Sequence, residues 1–537
     1  MPTQTLPYAD TGYFSKLICD YLDKKDALSP LYNRFPDIEN FGDQIAEKRK
    51  SFSSETREVL VTSLEQQYSG ITDKNTVLKN LVLLNNQNTF TVTTGHQLNL
   101  FTGPLYFLYK IISAIKLSRQ LKEKYPDCDF VPVYWMATED HDFDEINHFK
   151  FEGTKVQWNR PDVQDNDGGA VGRLDNSGLD AVHEHICKAF GDTKNGQHLC
   201  QLFENAYLNH NTLAEATRYL AHKLFGEEGL VIVDGDDTAL KRVFSPFVID
   251  ELIDQTSGKE VTGQAEKLTE AGYGVQVTAR DINLFYLTDN LRERIIKRDG
   301  KFFVNETEIT FTAEEIMEEI KNHPERFSPN VILRPLYQEV ILPNLCYIGG
   351  GGELAYWFEL KSYFDKVAVP FPILLLRNSA LLISEKLLEK ANKLNVSVEE
   401  LFLDQNDLIN RKIREISNID IDFSPQKQHL VKQFEEMYGL AQKTDASFLG
   451  AVKAQEVKQL KGLDNLEHRL LRAQKRKLAD QVTRLKTLQQ TAFPDQNLQE
   501  RNRNFSSFYL THGDRLIPLL YEALDPLSHR FTVLVTT

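Results

Sequence analysis

The stretch FTVTTGHQLNLFTGPLYFLYKIISAIKLSRQLKEKYPDCDFVPVYW, residues 90–135, decides the fold. Two runs rich in aromatic and β-branched residues, Phe90–Thr94 and Phe130–Trp135, flank a helical pattern. In it Leu105, Leu108, Tyr109, Ile112 and Ile115 share one face. Strand, loop, amphipathic helix and strand make a βαβ unit, and parallel strands buried on both faces show such continuous apolar runs. Leu230–Val233 (LVIV) and Ile373–Leu376 (ILLL) carry the same signal, each followed by a polar cluster. The expected fold is α/β, with a doubly wound parallel sheet as its core.

Around that core the chain divides by composition and rhythm. Residues 1–149 hold N-terminal helices and the first half of the core, and residues 229–260 and 327–380 continue it. Residues 150–228 are polar and His-rich; residues 261–326 hold a strand-like run (GVQVTARDINLFYLTD) and an acidic helix (TAEEIMEEIKNH). Both read as insertions between core strands. Residues 381–492 form a helical arm dense in Lys, Glu, Gln, Leu and Ala, interrupted at ISNIDIDFSPQ. Within it Leu463, Leu466, Leu470, Leu478, Val482, Leu485 and Leu488 keep the three-four spacing of a helical hairpin or antiparallel coiled coil. Such a stripe either packs on its own domain or, left exposed, needs a partner and makes an oligomerisation arm. Residues 493–537 end in the β-rich HRFTVLVTT, expected to return to the core as a strand.

The 537 residues exceed one ordinary core, and their composition is globular. A net charge of -15 argues against a nucleic-acid binder, while leaving room for a local basic pocket. Cys19, Cys128, Cys187, Cys200 and Cys346 form no C-x-x-C pair. They are expected to be small buried residues in a reducing compartment, with no zinc framework. The N-terminus lacks a charged-then-apolar signal pattern, and no stretch nears the ~20 apolar residues of a membrane span. A cytoplasmic protein without membrane contact is expected.

No G-x-x-x-x-G-K-[ST] loop and no G-x-G-x-x-G after a strand is present, which weighs against kinase-type ATP use and ordinary NAD binding. Chemistry is instead expected at the C-terminal ends of the strands. In TTGHQLNLFTGPLY, residues Thr94, Gly95, His96, Gln97, Thr102, Gly103 and Pro104 lie where a strand gives way to a helix. Gly95 permits a tight turn, Pro104 suits the first helical turn, and the helix N–H groups offer a seat for phosphate or carboxylate. A capped turn with a satisfied histidine is the plainer reading. MATEDHDFDEINH holds the densest acid–histidine cluster: Glu139, Asp140, His141, Asp142, Asp144 and Glu145. Such runs are usually solvated loops. Directly after a buried strand, these carboxylates could hold an ammonium group or Mg²⁺, or one of them, or His141, could take a proton from an attacking amine. No zinc-site spacing appears, and no resident metal is expected. In YIGGGGELAYW, Gly349, Gly350, Gly351 and Gly352 allow close backbone approach or a turn that only glycine can make. Glu353 opens a helix with Leu354, Trp357 and Phe358 inward. Arg377, Asn378 and Ser379 follow the last core strand, where a cation suits a phosphate or carboxylate. Asp234, Asp236 and Asp237 follow the third strand.

Together, TGHQLNLFTGPLY with its KIISAIKLS helix, VPVYWMATEDHDFDEINH, FSPNVILRPLYQEVILPNLCYIGGGGELAYWFELKSYF and FPDQNLQERNRNFSSFY resemble the bacillithiol-biosynthesis cysteine-adding enzymes, the BshC family. The family's glycine loop often reads G-P-G-E, whereas four glycines precede Glu353 here, a looser loop in the same role. The resemblance implies a Rossmann-like core with two connecting insertions and a coiled-coil domain that mediates homodimerisation. It implies addition of cysteine to glucosaminyl malate, the last step of bacillithiol synthesis. It also implies likeness to class I aminoacyl-tRNA synthetases and the mycothiol cysteine ligase. Their H-I-G-H and K-M-S-K-S signatures are not intact here, so ATP and Mg²⁺ stand as candidate cofactors only. Glu139, Asp140, His141 and Asp142 are the expected catalytic residues. Asp144, Arg334, Tyr356 and Trp357 join the glycines, Glu353 and the strand-end residues above as substrate- or nucleotide-binding candidates. Competing readings are a nucleotidylyl transferase or metal-dependent hydrolase on the same core, and a non-catalytic coiled-coil scaffold.

Overall fold

The computed structural model describes residues 3–160, 169–444 and 446–536. A short strand, β1 (Thr3–Pro7), and helices between Lys16 and Leu84 lead to the core. There β2 (Thr89–His96), α1 (Tyr106–Lys124) and β3 (Asp129–Met136) form the expected βαβ unit, with β2 and β3 parallel from Thr89 opposite Asp129 to His96 opposite Met136. The first insertion (part of which, 161–168, lies outside the described residues) contributes the hairpin helices α2 (Leu179–Phe190) and α3 (Lys194–Phe203). The chain then returns as β4 (Val231–Asp234), parallel to β3, and α4 (Thr238–Ile253). The second insertion supplies four strands of a separate five-stranded antiparallel sheet, whose fifth, Phe327–Pro329, follows it directly. Its strand-like run is irregular up to Asn283, and only Leu284–Thr288 pairs. Helix α5 (Leu333–Ile341) leads to β5 (Asn344–Gly349), α6 (Gly351–Trp357) follows, and β6 (Ile373–Leu376) completes the core.

The core order is β6-β5-β2-β3-β4, all parallel. Side chains alternate between two cores. Cys346, Ile348, Ile373 and Leu375 face one, while Tyr347, Leu374 and Leu376 face the other. Burial on both faces explains the continuous apolar runs. Three threonines of β2 satisfy their hydroxyls sideways, Thr91 and Thr93 onto Asn344 Oδ1 at 3.2 and 2.8 Å and Thr94 onto the Ile348 carbonyl at 2.8 Å.

Two expectations about the C-terminal third need correction. Residues 381–384, expected to open the arm, are not helical but belong to a strand, β7 (Ala380–Ser384), and the tail strand β8 (Arg530–Thr536) does not join the core sheet. Instead β1, β8 and β7 form a small sheet of their own, which ties both ends of the chain together. The arm proper includes α7 (Ser424–Ala441), α8 (Ala446–Lys477) and α9 (Ala479–Ala492), with α7 packed on α8. The leucine stripe splits at Leu478. Leu485 and Leu488 are buried on the chain's own core, whereas Leu466 is 51% exposed. Among the described residues no helix is long and apolar enough to cross a membrane.

Candidate active site

The strand order reverses between β2 and β5, where α/β folds open a crevice. A side chain at Gly95 would press on the Tyr347 hydroxyl, 3.3 Å from where its Cβ would lie. From α1, Lys110 reaches into the gap with its ammonium buried. It donates to the Gly95 carbonyl at 2.6 Å and pairs with the Glu353 carboxylate. Burial pushes the ammonium down, and Glu353 counters that. The second Glu353 oxygen accepts the Gly350 N–H at 3.0 Å, capping α6. One lysine therefore ties the two glycine junctions together.

Phe101, Thr102 and Gly103 occupy the left-handed region in succession, with φ of 49°, 68° and 62°. For a non-glycine residue such a conformation costs on the order of 1–3 kcal/mol. The surroundings hold it: Asn504 donates to the carbonyls of Phe101 (2.8 Å) and Gly103 (2.6 Å), and the Phe101 N–H donates to the Tyr207 hydroxyl at 2.8 Å. The turn glycine is thus Gly103, not Gly95. Gly95 and Gly349–Gly352 have no positive φ; Gly95, Gly349 and Gly351 serve close approach instead, Gly350 is open toward Arg377 Nε, 3.6 Å from a Cβ position, and Gly352 faces open space. The helix start after Pro104, expected as an anion seat, is largely filled by the chain. The Leu105, Phe107 and Leu108 N–H groups bond to the carbonyls of Arg503, Pro104 and Leu105.

His96 lies beside this turn, its ring 5.4 Å from Tyr106 and 5.2 Å from Phe107. Burial holds the imidazole well below its usual range, and Lys110 and Arg377 press the same way, so it is neutral. His96 Nε2, Thr102 Oγ1 and Arg377 Nε are buried with no hydrogen-bond partner. Such groups cost stability unless a ligand satisfies them. Arg377 is 3% exposed and spends one nitrogen on the Asn378 carbonyl, Ser379 Oγ and Glu500, the last at 2.6 Å. Its guanidinium lies 4.7 Å from the Tyr106 ring, and that of exposed Arg501 lies 6.0 Å from the same ring. Asn378 and Ser379 brace this arrangement from within the core; Asn378 is spent on Ser113 and the Asp525 carbonyl. Half-buried Arg334 donates to the Tyr356 hydroxyl at 3.1 Å. Trp357 is fully buried and stacked on Tyr347 at 4.5 Å, which makes it a core residue.

The acidic run divides. Glu139 turns inward to Lys241 at 2.5 Å, and Lys241 also meets Asp236, which Arg173 grips through two nitrogens at 2.8 and 3.0 Å. Burial raises the Glu139 carboxyl. Burial also works against Asp236, but Lys241 and Arg173 outweigh it and hold that carboxyl low. Asp142 caps the short helix Phe143–Ile146 through Glu145 N, Asp144 accepts from Asn147, and Asp237 caps α4. Asp140 stays near the crevice, its two oxygens held by Gln97 Nε2 and the His141 N–H, both at 2.8 Å. Gln97 also donates to Glu145 at 2.8 Å. His141 Nδ1 lies 2.8 Å from Arg292 Nη1, so it accepts and the ring proton sits on Nε2. Among the described residues, no group of three or more His, Cys, Asp or Glu side chains is placed to hold a metal ion.

Family models match nearly the whole chain: the N-terminal Rossmann-like domain of bacillithiol biosynthesis BshC over residues 1–378, and its C-terminal coiled-coil domain over residues 380–536. The chain belongs to the BshC family. Its relatives include proteins named "Putative cysteine ligase BshC" from Christiangramia forsetii (59% identical, covering 99% of each chain) and Flavobacterium johnsoniae (55%, covering 99% of this chain and all of the relative). A protein of the same name from Cytophaga hutchinsonii is 39% identical over 97% of this chain and 96% of its own. Both BshC domains contribute to the crevice. Glu500, Arg501, Asn504 and the Arg503 carbonyl come from the C-terminal one. Their stretch QERNRN carried no strand-end signal, and Lys110 was hidden in an apolar helix whose only cue was a charge within YFLYKIISAI.

Proposed function

We propose that this protein is a cysteine ligase that adds L-cysteine to glucosaminyl malate in the last step of bacillithiol biosynthesis. The observation that carries this reading is the group of unsatisfied buried polar atoms beside the strand-order reversal between β2 and β5. There neutral His96, Thr102 and Arg377 each keep a buried polar atom unsatisfied beside a strained turn. Amide formation needs an activated carboxylate and a neutral amine. Arg377 and Arg501, both within 6.0 Å of the Tyr106 ring, are the cations to receive carboxylate or phosphate oxygens. ATP with Mg²⁺ is the activating donor proposed, and Arg377, Arg501 and Arg334 would hold its phosphates. A base must present a free lone pair. His141 Nδ1 has one lone pair and it is engaged with Arg292, whereas each Asp140 oxygen keeps a second lone pair beside the hydrogen bond it accepts, so Asp140 is the residue that orients the substrate ammonium and takes its proton.

Pure protein incubated with cysteine, glucosaminyl malate, ATP and Mg²⁺ should yield bacillithiol by mass spectrometry, with AMP or ADP appearing only when both substrates are present. Nucleotide release independent of either substrate would point to a nucleotidylyl transferase instead. Asp140→Asn should lose most of the rate and His141→Gln far less. We also propose a homodimer through the arm, because Met437, Leu440, Val457 and Leu466 are 44–62% exposed on α7 and α8. Sedimentation of Leu440→Glu/Val457→Glu should show a monomer; an unchanged mass would move the interface elsewhere.

A further inference from the structure

The strained Phe101–Gly103 turn does not stand alone. The Phe101 ring packs against Phe190 at 6.2 Å and Phe203 at 5.5 Å, the last residues of α2 and α3. Three residues before each, on the same two helices, stand Cys187 and Cys200. The two cysteines are joined in the structure, with Cα atoms 5.4 Å apart, well inside the range a disulfide spans. Both are only half buried, whereas Cys128 and Cys346 are buried. Tyr207, which accepts the Phe101 N–H, packs tilted against Phe203 at 4.6 Å. The sulfur pair therefore joins the two helices whose last residues support the turn, one helical turn from each of those rings; α3 packs in addition on Tyr509 through His198.

We propose that Cys187 and Cys200 form a reversible redox site that sets the rigidity of the Phe101–Gly103 turn, and through it the activity of the crevice. The oxidant is the disulfide of a low-molecular-weight thiol, the chemical class to which the end product of this family's pathway belongs. One cysteine thiolate attacks that disulfide, releasing one small thiol and forming a mixed disulfide. The second cysteine then displaces the other small thiol. Two protein thiols are oxidised, one small disulfide is reduced to two thiols, and the two cysteine protons leave with them. Closing the bond clamps α2 to α3 and holds Phe190 and Phe203 against Phe101. Opening it lets the hairpin relax and the turn, conformationally costly by itself, loosen. When the thiol pool is oxidised the enzyme is in its tightened form; when reduced thiol is plentiful it is slackened. The direction is feedback from product to synthesis.

The test uses the full chain, equilibrated first with a large excess of reduced glutathione and then with equal reduced and oxidised glutathione. Alkylation and peptide mapping should show Cys187 and Cys200 labelled in the first state and bonded to each other in the second, with Cys19, Cys128 and Cys346 labelled after unfolding in both. Amide exchange in a peptide spanning Leu98–Leu105 should slow by about fivefold or more on oxidation, the lower end of ordinary site-to-site coupling. Cys187→Ala and Cys200→Ala, separately, should keep the reduced-state exchange under both buffers. Two free thiols at equal glutathione, or a bond that forms while the turn's exchange stays fixed, overturns the proposal. These readouts need no substrate, so they stand apart from the ligase assay. With that assay in hand, oxidation should raise kcat/KM in the wild type and leave both variants unmoved.

Discussion

Two charged assemblies sit along the same edge of the parallel sheet, and they are built to opposite ends. Around Lys241 each charge faces its opposite: Glu139, Asp236 and Arg173 close on one another behind β4. Around Lys110 the ions also pair, Lys110 with Glu353 and Arg377 with Glu500, but the pairing leaves His96 Nε2, Thr102 Oγ1 and Arg377 Nε bare. A closed network is a strut. An open one, maintained at a cost in stability, marks where a ligand completes the hydrogen bonds. Density of acids along the chain pointed to the first assembly; unsatisfied atoms point to the second.

The comparison breaks most sharply at Arg377. Arg377→Met leaves Glu500 buried without its cation and should cost about 3–5 kcal/mol in urea unfolding. Arg377→Met/Glu500→Leu should recover much of that stability while remaining inactive. Recovery of activity as well would make the pair a strut like Lys241. Next in size is His96→Phe. Its Nε2 has no partner to lose and only the ring's bond to the Thr102 backbone goes, so stability should fall by about 1 kcal/mol, while kcat/KM should fall about 100-fold if the neutral imidazole meets the reacting groups. Normal turnover in a stably folded His96→Phe protein would remove it from the mechanism.

Much of the core was legible because parallel strands buried on two faces show as apolar runs, and β2, β3, β4 and β6 all do. Strand β5 (NLCYIG) was not read as one, since its asparagine and glycine break the run; yet Asn344 is there to take the β2 threonine hydroxyls. The sequence run ALLIS looked like the entry to the arm because its pairing partners lie at the far ends of the chain. At the site, His96, Gln97, Asp140, Glu353 and Arg377 were legible as polar residues at strand ends. Lys110 and Glu500 were not. Each is buried by virtue of a partner far away, Glu353 lying 243 residues beyond Lys110, and no local pattern encodes such a pair.

An orphaned atom can also be nothing more than a cost, and Glu359, just beyond α6, separates the two cases. Its Oε1 accepts the Gln276 N–H at 2.6 Å, its Oε2 has no partner, and burial raises the carboxyl from 4.5 to about 6. The folded chain then holds this proton more tightly than the unfolded one, so stability from this group is full below pH 4.5 and declines as pH rises to about 6. Glu359→Gln should flatten that step, worth about 1–2 kcal/mol, without altering kcat. A substrate-dependent change in the step would instead enrol Glu359 in the crevice.

The smallest effect tests the acidic run itself, where four neighbouring residues were expected to act together and only Asp140 carries neither a buried ion pair nor a helix cap. Asp142 caps a single helical turn, so Asp142→Ala should lose about 0.5–1 kcal/mol of stability and leave kcat/KM near wild type. Asp140→Ala should do the reverse. It gives up the bonds from Gln97 and the His141 N–H at an edge that water can reach, at little cost in stability, while the rate collapses. If the two substitutions instead behaved alike, the run would act as a solvated loop after all. The proton acceptor would then have to be sought across the gap, at Glu353, whose negative charge is already paired with the buried Lys110 ammonium.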